Sequence, residues 1–326
     1  METEEKFTSR IDLSDINEAV QNIRTEINKV IVGQPDMLDL LIAAILCDGH
    51  VLIEGVPGLA KTLTAKLLAK TLQTGFSRIQ FTPDLMPSDV LGTSVFNTKA
   101  GDFEFRRGPI FSNLVLVDEI NRAPAKTQSA LFEVMEERQA TVDGITYAMA
   151  PPFMIIATQN PVEHEGTYRL PEAQLDRFLF KIEVIYPTLE QEVSILQGHH
   201  LLTDKKEFSD IKTVIKGEEI VGFRQKVRQV HVEQHLITYI AQIVNRTRSH
   251  NAIYLGASPR ASIALMQGSK ALAAMQGRDF VMPEDIKRIC RPVLAHRIII
   301  SPEKEMEGST AAEVIKQLVE TIEIPR

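Results

Sequence analysis

A glycine-rich loop directly after a short apolar run offers the clearest chemistry in the sequence. It reads Gly-Val-Pro-Gly-Leu-Ala-Lys-Thr from Gly55 to Thr62 and follows the apolar run Val51–Glu54. In such a loop, backbone N–H groups at a helix N-terminus bind phosphate oxygens, a lysine reaches the β and γ phosphates, and a threonine hydroxyl ligates Mg²⁺. We predict that Lys61 and Thr62 take these two roles, although an ordinary glycine-rich turn is the alternative. The residues of this loop predicted to bind a nucleotide are Gly55, Val56, Pro57, Gly58, Leu59, Ala60, Lys61, Thr62 and Leu63.

One residue of the loop departs from the usual motif, which has glycine immediately before the lysine. This chain has Ala60 there, and a side chain restricts the backbone at that position. We expect the methyl group to be accommodated in helical geometry.

Two carboxylates follow a second apolar run, Leu-Val-Leu-Val at residues 114–117. In a parallel sheet the ends of neighbouring strands meet at one edge, so Asp118 and Glu119 should lie beside the glycine-rich loop. Asp118 is predicted to hold Mg²⁺, usually through water, together with Thr62. Glu119 is predicted to orient and deprotonate an attacking water as a general base. Such a pair could instead cap the following helix.

Three further residues are candidates for a role in phosphate chemistry. Asn160 ends another predicted strand, where its neutral amide can bind the attacking water or the γ-phosphate. Alternatively, Asn160 serves only to form a tight turn before Pro161, and the sequence at this position fits both roles equally. Arg177 stands at the start of the last predicted strand, where its alternative is a surface ion pair with Asp176 or Glu172. Arg260 begins a later helix and could reach phosphate across an interdomain crevice, or be solvated.

The elements that must position these residues alternate between strands and helices. Apolar runs at 51–54, 77–81, 114–117, 153–157 and 178–184 are typical of buried parallel strands, with helices predicted at 61–72 and 125–137. This pattern predicts an α/β fold with a doubly wound, mainly parallel five-stranded sheet over residues 1–187. Residues 188–326 show helical periodicity and predict a small all-α second domain.

Two stretches interrupt the alternation and predict β-hairpin insertions. Residues 91–109 have a turn at 99–102, and residues 139–150 have a turn at 143–144.

Composition limits the classes of protein that the chain can belong to. The 36 Lys and Arg against 43 Asp and Glu give a net charge of −7, which argues against nucleic acid as a partner. Cys47 and Cys290 are far apart without metal-like spacing, so we expect buried thiols in a reducing compartment rather than a disulfide. Because no apolar run is long enough to span a bilayer, we expect a cytoplasmic protein without a transmembrane segment.

Taken in order, these motifs resemble the AAA+ superfamily and specifically its MoxR branch. The resemblance covers the loop at 55–62, the Walker B segment 118–123, the sensor 1 segment 157–161 and the segment 170–178. The hairpins at 92–109 and 139–150 resemble the helix-2 insert and the pre-sensor-1 hairpin, which magnesium chelatase and replicative helicase relatives share.

The resemblance implies ATP and Mg²⁺ as cofactors and assigns roles to several residues. The segment 30–34 is similar to the one that lies against adenine in the family, which implies nucleotide binding by Val32, Gly33 and Gln34. Arg177 would be the arginine finger, supplied by a neighbouring subunit, and Arg260 would be sensor 2. A homo-oligomeric ring, commonly a hexamer, is implied.

The family's members also suggest what ATP hydrolysis would accomplish. Similar proteins act as chaperones that assemble or activate partner proteins, often by inserting metal cofactors and often with proteins that carry a von Willebrand factor A domain. A nucleotide-gated binding module with incidental hydrolysis is the main alternative, and a DNA-dependent motor is a third hypothesis.

Overall fold

A computed structural model describes residues 11–99, 101–161, 168, 170–201 and 210–324. The polar N-terminal residues 1–10 and Ala100, in the predicted turn of the first hairpin, lie outside the described residues.

Five of the strands form one parallel sheet in the described part of the chain. These strands are β1 Val51–Glu54, β2 Phe76–Gln80, β5 Leu114–Asp118, β8 Met154–Gln159 and β9 Phe180–Glu183. Their order across the sheet is β2-β5-β8-β1-β9, and every neighbouring pair is parallel. The doubly wound sheet expected from the sequence is confirmed, with strand ends that differ from the predicted ones by up to two residues.

Alternate residues of the strands pack on opposite faces of the sheet. Val51 and Ile53 belong to one apolar cluster, whereas Leu52 belongs to a second cluster on the other face. Both faces are therefore buried, which explains why these strands read as continuous apolar runs. The helices that accompany the sheet are α1 Ser14–Ile27, α2 Pro35–Leu46, α3 Lys61–Thr71, α4 Pro87–Leu91, α5 Ala125–Glu137 and α6 Glu172–Leu175.

The two inserted hairpins are present as separate antiparallel pairs. The first consists of β3 Gly92–Asn97 and β4 Asp102–Arg107, and the second of β6 Gln139–Val142 and β7 Ile145–Ala148. Phe105 stacks on Tyr147 with ring centroids 4.3 Å apart, so the hairpins support each other.

The C-terminal part is helical, as the periodicity predicts, with one addition. Its helices are α7 Leu189–Leu201, α8 Gly217–Gln229, α9 Gln234–Thr247, α10 Pro259–Met275, α11 Pro283–Leu294, α12 Pro302–Met306 and α13 Ala311–Glu320. A short antiparallel pairing of β10 Ile253–Leu255 with β11 Ile299–Ile300 was not expected from the sequence. Strands of three and two residues are too short for a period-of-two pattern to reveal them.

The helical part packs directly on the sheet-containing part. The apolar cluster that covers one face of the sheet continues into α9, α10, α11 and α13. At the junction, His296 Nε2 lies 3.0 Å from the Phe178 carbonyl oxygen, and Arg297 forms an ion pair with Asp176 at 2.7 Å. A division of the chain near residue 187 remains a prediction. Within the part that the structure describes, no helix has the length and apolar character needed to cross a membrane.

Candidate nucleotide-binding site

The glycine-rich loop joins the end of β1 to the start of α3, as predicted. Gly58 has a φ of +89°, and a Cβ placed on it would meet nothing within 4 Å, so this side of the loop is open. Because the first N–H groups of a helix lack intrahelical acceptors, those at the start of α3 are available to an anion.

Ala60 adopts a conformation that the sequence did not predict. Its φ of 54° and ψ of 17° are left-handed, so the expectation of ordinary helical geometry is wrong. A left-handed conformation costs an L-residue roughly 1–2 kcal/mol, because Cβ approaches the following carbonyl oxygen. The turn into α3 requires this conformation, which explains why glycine is usual at this position.

The ammonium group of Lys61 is held by the loop itself. Its Nζ donates a hydrogen bond of 2.6 Å to the carbonyl oxygen of Gly55. Burial lowers the pKa of Lys61, while Asp118, Glu119 and Glu54 act in the opposite direction. The lysine therefore lies at the loop, near the carboxylates of Asp118, Glu119 and Glu54.

Asp118 ends the buried strand β5 and is itself only 7% exposed. Its Oδ1 accepts a hydrogen bond from the Thr158 hydroxyl at 3.1 Å, and its Oδ2 lies 2.6 Å from Arg78 Nε. A cation and a hydroxyl thus compensate the burial of this carboxylate.

Glu119 follows in a left-handed conformation, with a φ of 56°. Its backbone N–H donates to the same Thr158 hydroxyl at 3.0 Å, and its side chain pairs with Arg122 at 2.9 Å. A non-glycine residue in this region stores about 1–3 kcal/mol of strain, which is typical of functional sites. The backbone turn directs Glu119 away from the path of the strand and into the cavity beside the loop.

A cavity of about 390 Å³ brings most of these residues together. Its volume lies in the range of roughly 300–1,000 Å³ that small-molecule sites occupy. Asn160, only 9% exposed, contributes to its wall. The lining residues are Pro57, Gly58, Leu59, Ala60, Lys61, Thr62, Leu63, Arg78, Gln80, Asp118, Glu119, Thr158 and Asn160.

Arg78, Gln80 and Thr158 are the lining residues that sequence reasoning missed. A signal for two of them was present, because Arg78 and Gln80 stand two apart on a strand and therefore share one face. Gln80 is in register with Asp118, which brings that face of β2 against the carboxylate. For Thr158, the available signal was its position near the end of β8, two residues before Asn160.

Several residues predicted to contact nucleotide lie outside this cavity. Gly55 and Val56 precede its lining residues in the loop. Val32, Gly33 and Gln34 are not part of the lining either; Gln34 Nε2 donates to the Ile185 carbonyl oxygen at 3.2 Å. The Gln191 side chain lies 2.6 Å from where a Cβ on Gly33 would stand, so this segment packs on the start of α7.

Arg177 and Arg260 also lie away from the cavity, beside the end of α5. Arg177 Nη1 donates to the Phe132 carbonyl oxygen at 2.8 Å and lies 3.9 Å from Glu136. Arg260 pairs with the same Glu136 at 2.7 Å. Asp176, one of the two alternative partners predicted for Arg177, pairs with Arg297 at 2.7 Å.

Arg260, predicted to reach phosphate across an interdomain crevice, does not line the cavity, and that role stays a prediction. The start of α10 is attached elsewhere, because Ser258 donates to Asp176 at 3.0 Å and Arg260 binds Glu136. The two arginines therefore form a pair on one carboxylate, outside the cavity that holds the glycine-rich loop.

The chemistry of the cavity fits a nucleotide with its magnesium ion. The loop supplies N–H donors and Lys61 for phosphate, and the hydroxyl of Thr62 and the carboxylate of Asp118 are ligand types that Mg²⁺ accepts. Among the described residues, no group of three His, Cys, Asp or Glu side chains could hold a metal ion by itself. A magnesium ion here would take its remaining ligands from phosphate oxygens and water, as Mg²⁺ usually does with nucleotides.

Comparisons with known families cover both parts of the chain. Residues 50–180 match the model of the "ATPase family associated with various cellular activities (AAA)". Residues 245–318 match the AAA lid domain. The first match holds every residue that lines the cavity.

Individual relatives match over nearly the full length. The protein YeaC of Bacillus subtilis is 46% identical, over 92% of each chain. Chaperone MoxR1 of Mycobacterium tuberculosis is 39% identical, over 92% of this chain and 81% of the relative. The crystal structure of a proposed ATPase from Cytophaga hutchinsonii superposes with a TM-score of 0.89 at 41% identity, covering 96% of this chain and 97% of the other. The chain therefore belongs to the MoxR family of AAA ATPases.

Proposed function

We propose that this protein binds Mg-ATP in the cavity beside the glycine-rich loop and hydrolyses it. The observation that carries the proposal is the convergence of phosphate-binding and acid–base groups there. Lys61, the adjacent pair Asp118–Glu119, and Asn160 come from three separate segments and line one cavity. Such convergence at the carboxyl ends of parallel strands is the usual location of sites in open α/β sheets.

The residues of the chain divide the work of hydrolysis in this proposal. Loop N–H groups and Lys61 bind the β and γ phosphates, and Thr62 and Asp118 hold the magnesium ion. When bound, the ion supplies positive charge that neutralises the phosphate oxygens. Glu119 orients the attacking water and accepts its proton, and Asn160 binds the water or the γ-phosphate through its amide.

Arg177 and Arg260 are proposed to act on the nucleotide of a neighbouring subunit. Both lie outside the cavity of their own chain and share Glu136, which supports a common surface that faces another subunit. A guanidinium group placed there would stabilise negative charge that spreads over the transferring phosphoryl group. The site would then be complete only in a homo-oligomer, for which the family resemblance implies a ring, commonly a hexamer.

The proposed output of hydrolysis is the remodelling, assembly or activation of a partner protein. The name of the relative from Mycobacterium tuberculosis, a chaperone, supports a protein client. A client with a von Willebrand factor A domain, insertion of a metal cofactor, and action in the cytoplasm rest on the family resemblance. The net charge of −7 disfavours the DNA-motor hypothesis.

A Glu119→Gln variant tests the assignment of hydrolysis. It keeps the size of the side chain but replaces the carboxylate with a neutral amide that cannot act as a base, so we expect unchanged ATP binding and a turnover lower by about 10²–10⁴-fold. ATP binding is measured by calorimetry and turnover by phosphate release. Glu133→Gln, on the exposed side of α5, makes the same chemical change outside the cavity and should match the parent.

Two results would contradict the proposal in different ways. Turnover of Glu119→Gln at the parental rate would refute the role of Glu119 as the base. Client activation that persists in this variant, despite lost hydrolysis, would instead favour the nucleotide-gated binding module.

A further inference from the structure

The charged groups of the cavity each have a partner within the chain. Lys61 donates to the Gly55 carbonyl oxygen at 2.6 Å, and Glu119 pairs with Arg122 at 2.9 Å. Asp118 pairs with Arg78 at 2.6 Å. The Asp118 pair differs from the others because its cation comes from a different strand, at the edge of the sheet.

Arg78 reaches Asp118 along the common face of β2 and β5. Gln80 stands directly opposite Asp118 in the register, and Arg78 is two residues earlier on the same face. Its Nε donates to Asp118 Oδ2, and its Nη2 lies 3.4 Å from Gln80 Oε1. The Arg78 side chain is 54% exposed, whereas that of Asp118 is 10% exposed. The Asp118 carboxylate is therefore held in place by its surroundings, whereas the exposed Arg78 side chain has room to change its conformation.

The burial of Asp118 explains why it needs a cation at all times. An ionised carboxylate out of water is costly unless a positive charge and hydrogen bonds compensate it. Thr158 occupies Oδ1, and Lys61 is committed to the loop carbonyl, so Arg78 supplies the compensating charge at Oδ2. The same carboxylate is the proposed partner of the magnesium ion, which would compete with Arg78 for it.

We infer that Arg78 is a displaceable counter-ion that moves between Asp118 and the phosphates of the nucleotide. The inference rests on the proposed binding of Mg-ATP in this cavity. If Asp118 held the magnesium ion, Arg78 would lose its counter-charge, and the polyphosphate in the same cavity would offer it anionic oxygens. A planar guanidinium group is suited to phosphate oxygens. Arg78 would thus contact the nucleotide bound by its own chain, whereas Arg177 and Arg260 are proposed to act on that of a neighbouring subunit.

Two opposite changes follow for an Arg78→Gln variant, and calorimetry can measure both. ATP in the presence of EDTA should bind about tenfold more weakly, because without Arg78 the uncompensated Asp118 carboxylate repels the phosphates. The Mg²⁺ concentration that half-saturates the ATP complex should fall several-fold, since no guanidinium group competes for Asp118. Arg78→Lys keeps the charge, so its Mg²⁺ requirement should return close to that of the parent.

The matched control is Arg106→Gln, which removes the same charge from an exposed position of the first hairpin. It should leave both titrations unchanged. If the parent protein binds no ATP with or without Mg²⁺, the proposed function fails, and the role of Arg78 fails with it. If the parent binds Mg-ATP but Arg78→Gln titrates like the parent, or needs more Mg²⁺, only the inference about Arg78 is overturned.

Discussion

Arg297 is a buried arginine that joins the helical part of the chain to the sheet-containing part, and we expect its contacts to contribute strongly to stability. Its side chain is 3% exposed and forms an ion pair with Asp176 at 2.7 Å. Its two terminal nitrogens donate to carbonyl oxygens of Asp176, Leu179, Phe178 and Val293 at 2.6–3.1 Å. Burial lowers the pKa of Arg297, and Asp176 counteracts that effect. All but one of these acceptors lie in the segment that carries Arg177.

An Arg297→Met variant keeps the apolar stem of the side chain but removes the cation that pairs with Asp176 and the donors to four carbonyl oxygens. Breaking a buried ion pair by removing one partner costs roughly 3–5 kcal/mol, because the other charge stays buried and uncompensated. With a urea dependence of about 3 kcal/mol per molar, the denaturation midpoint should fall by about 1 M or more. Urea titration followed by circular dichroism measures this change in the free energy of unfolding.

Arg291→Met is the matched control for the same substitution. Arg291 also bridges the helical part to the sheet, through Glu183, but its side chain is 57% exposed. An exposed ion pair contributes about 0–1 kcal/mol, so the control should shift the midpoint little. If Arg297→Met and Arg291→Met both shift the urea midpoint by the same small amount, burial does not make the contacts of Arg297 contribute more to the free energy of unfolding, and the reasoning is refuted.

Three further predictions concern the loop, the buried histidines and a hairpin. Ala60→Gly should raise the free energy of unfolding by about 0.5–1 kcal/mol, since relief of left-handed strain exceeds the extra chain entropy of glycine; equal or lower stability in urea would contradict this. Burial lowers the pKa of His50 and His296 well below the ordinary value. Since unfolding then raises these pKa values, the unfolded state binds more protons, and stability should fall as pH drops below about 6.5. A free energy of unfolding that stays constant between pH 8 and pH 5 in urea titrations would contradict this prediction about the two histidines. Gly92→Ala should destabilise the first hairpin, because its φ is +97° and a Cβ would stand 2.2 Å from the Arg106 carbonyl oxygen; unchanged proteolysis of the hairpin would contradict that expectation.

Much of the α/β framework could be predicted because its signals are local. The helix over Ala125–Glu137 has the predicted ends, and β1 has the predicted bounds. Buried parallel strands need apolar side chains on both faces, so their runs stand out in the sequence. The glycine-rich loop and the Asp118–Glu119 pair were recognised for the same reason, since each follows such a run.

What could not be predicted depends on contacts between distant segments. Arg78 approaches Asp118 only because β2 and β5 are neighbours in a particular register, which no local pattern specifies. The contact of Arg260 with Glu136, at the end of α5, likewise depends on how the helical part packs on the sheet-containing part. The left-handed backbone of Ala60 is likewise set by the turn into α3 rather than by the preference of alanine.

The central claim is that ATP is hydrolysed where two subunits meet, with Glu119 from one and Arg177 from the next. The most direct test mixes Glu119→Gln and Arg177→Ala proteins, each of which should be nearly inactive alone. In randomly mixed rings, half of the sites keep Glu119 and half of their neighbours supply Arg177, so turnover should recover to about a quarter of the parental rate. Mixtures that stay as inactive as the separate variants would contradict a site shared between subunits.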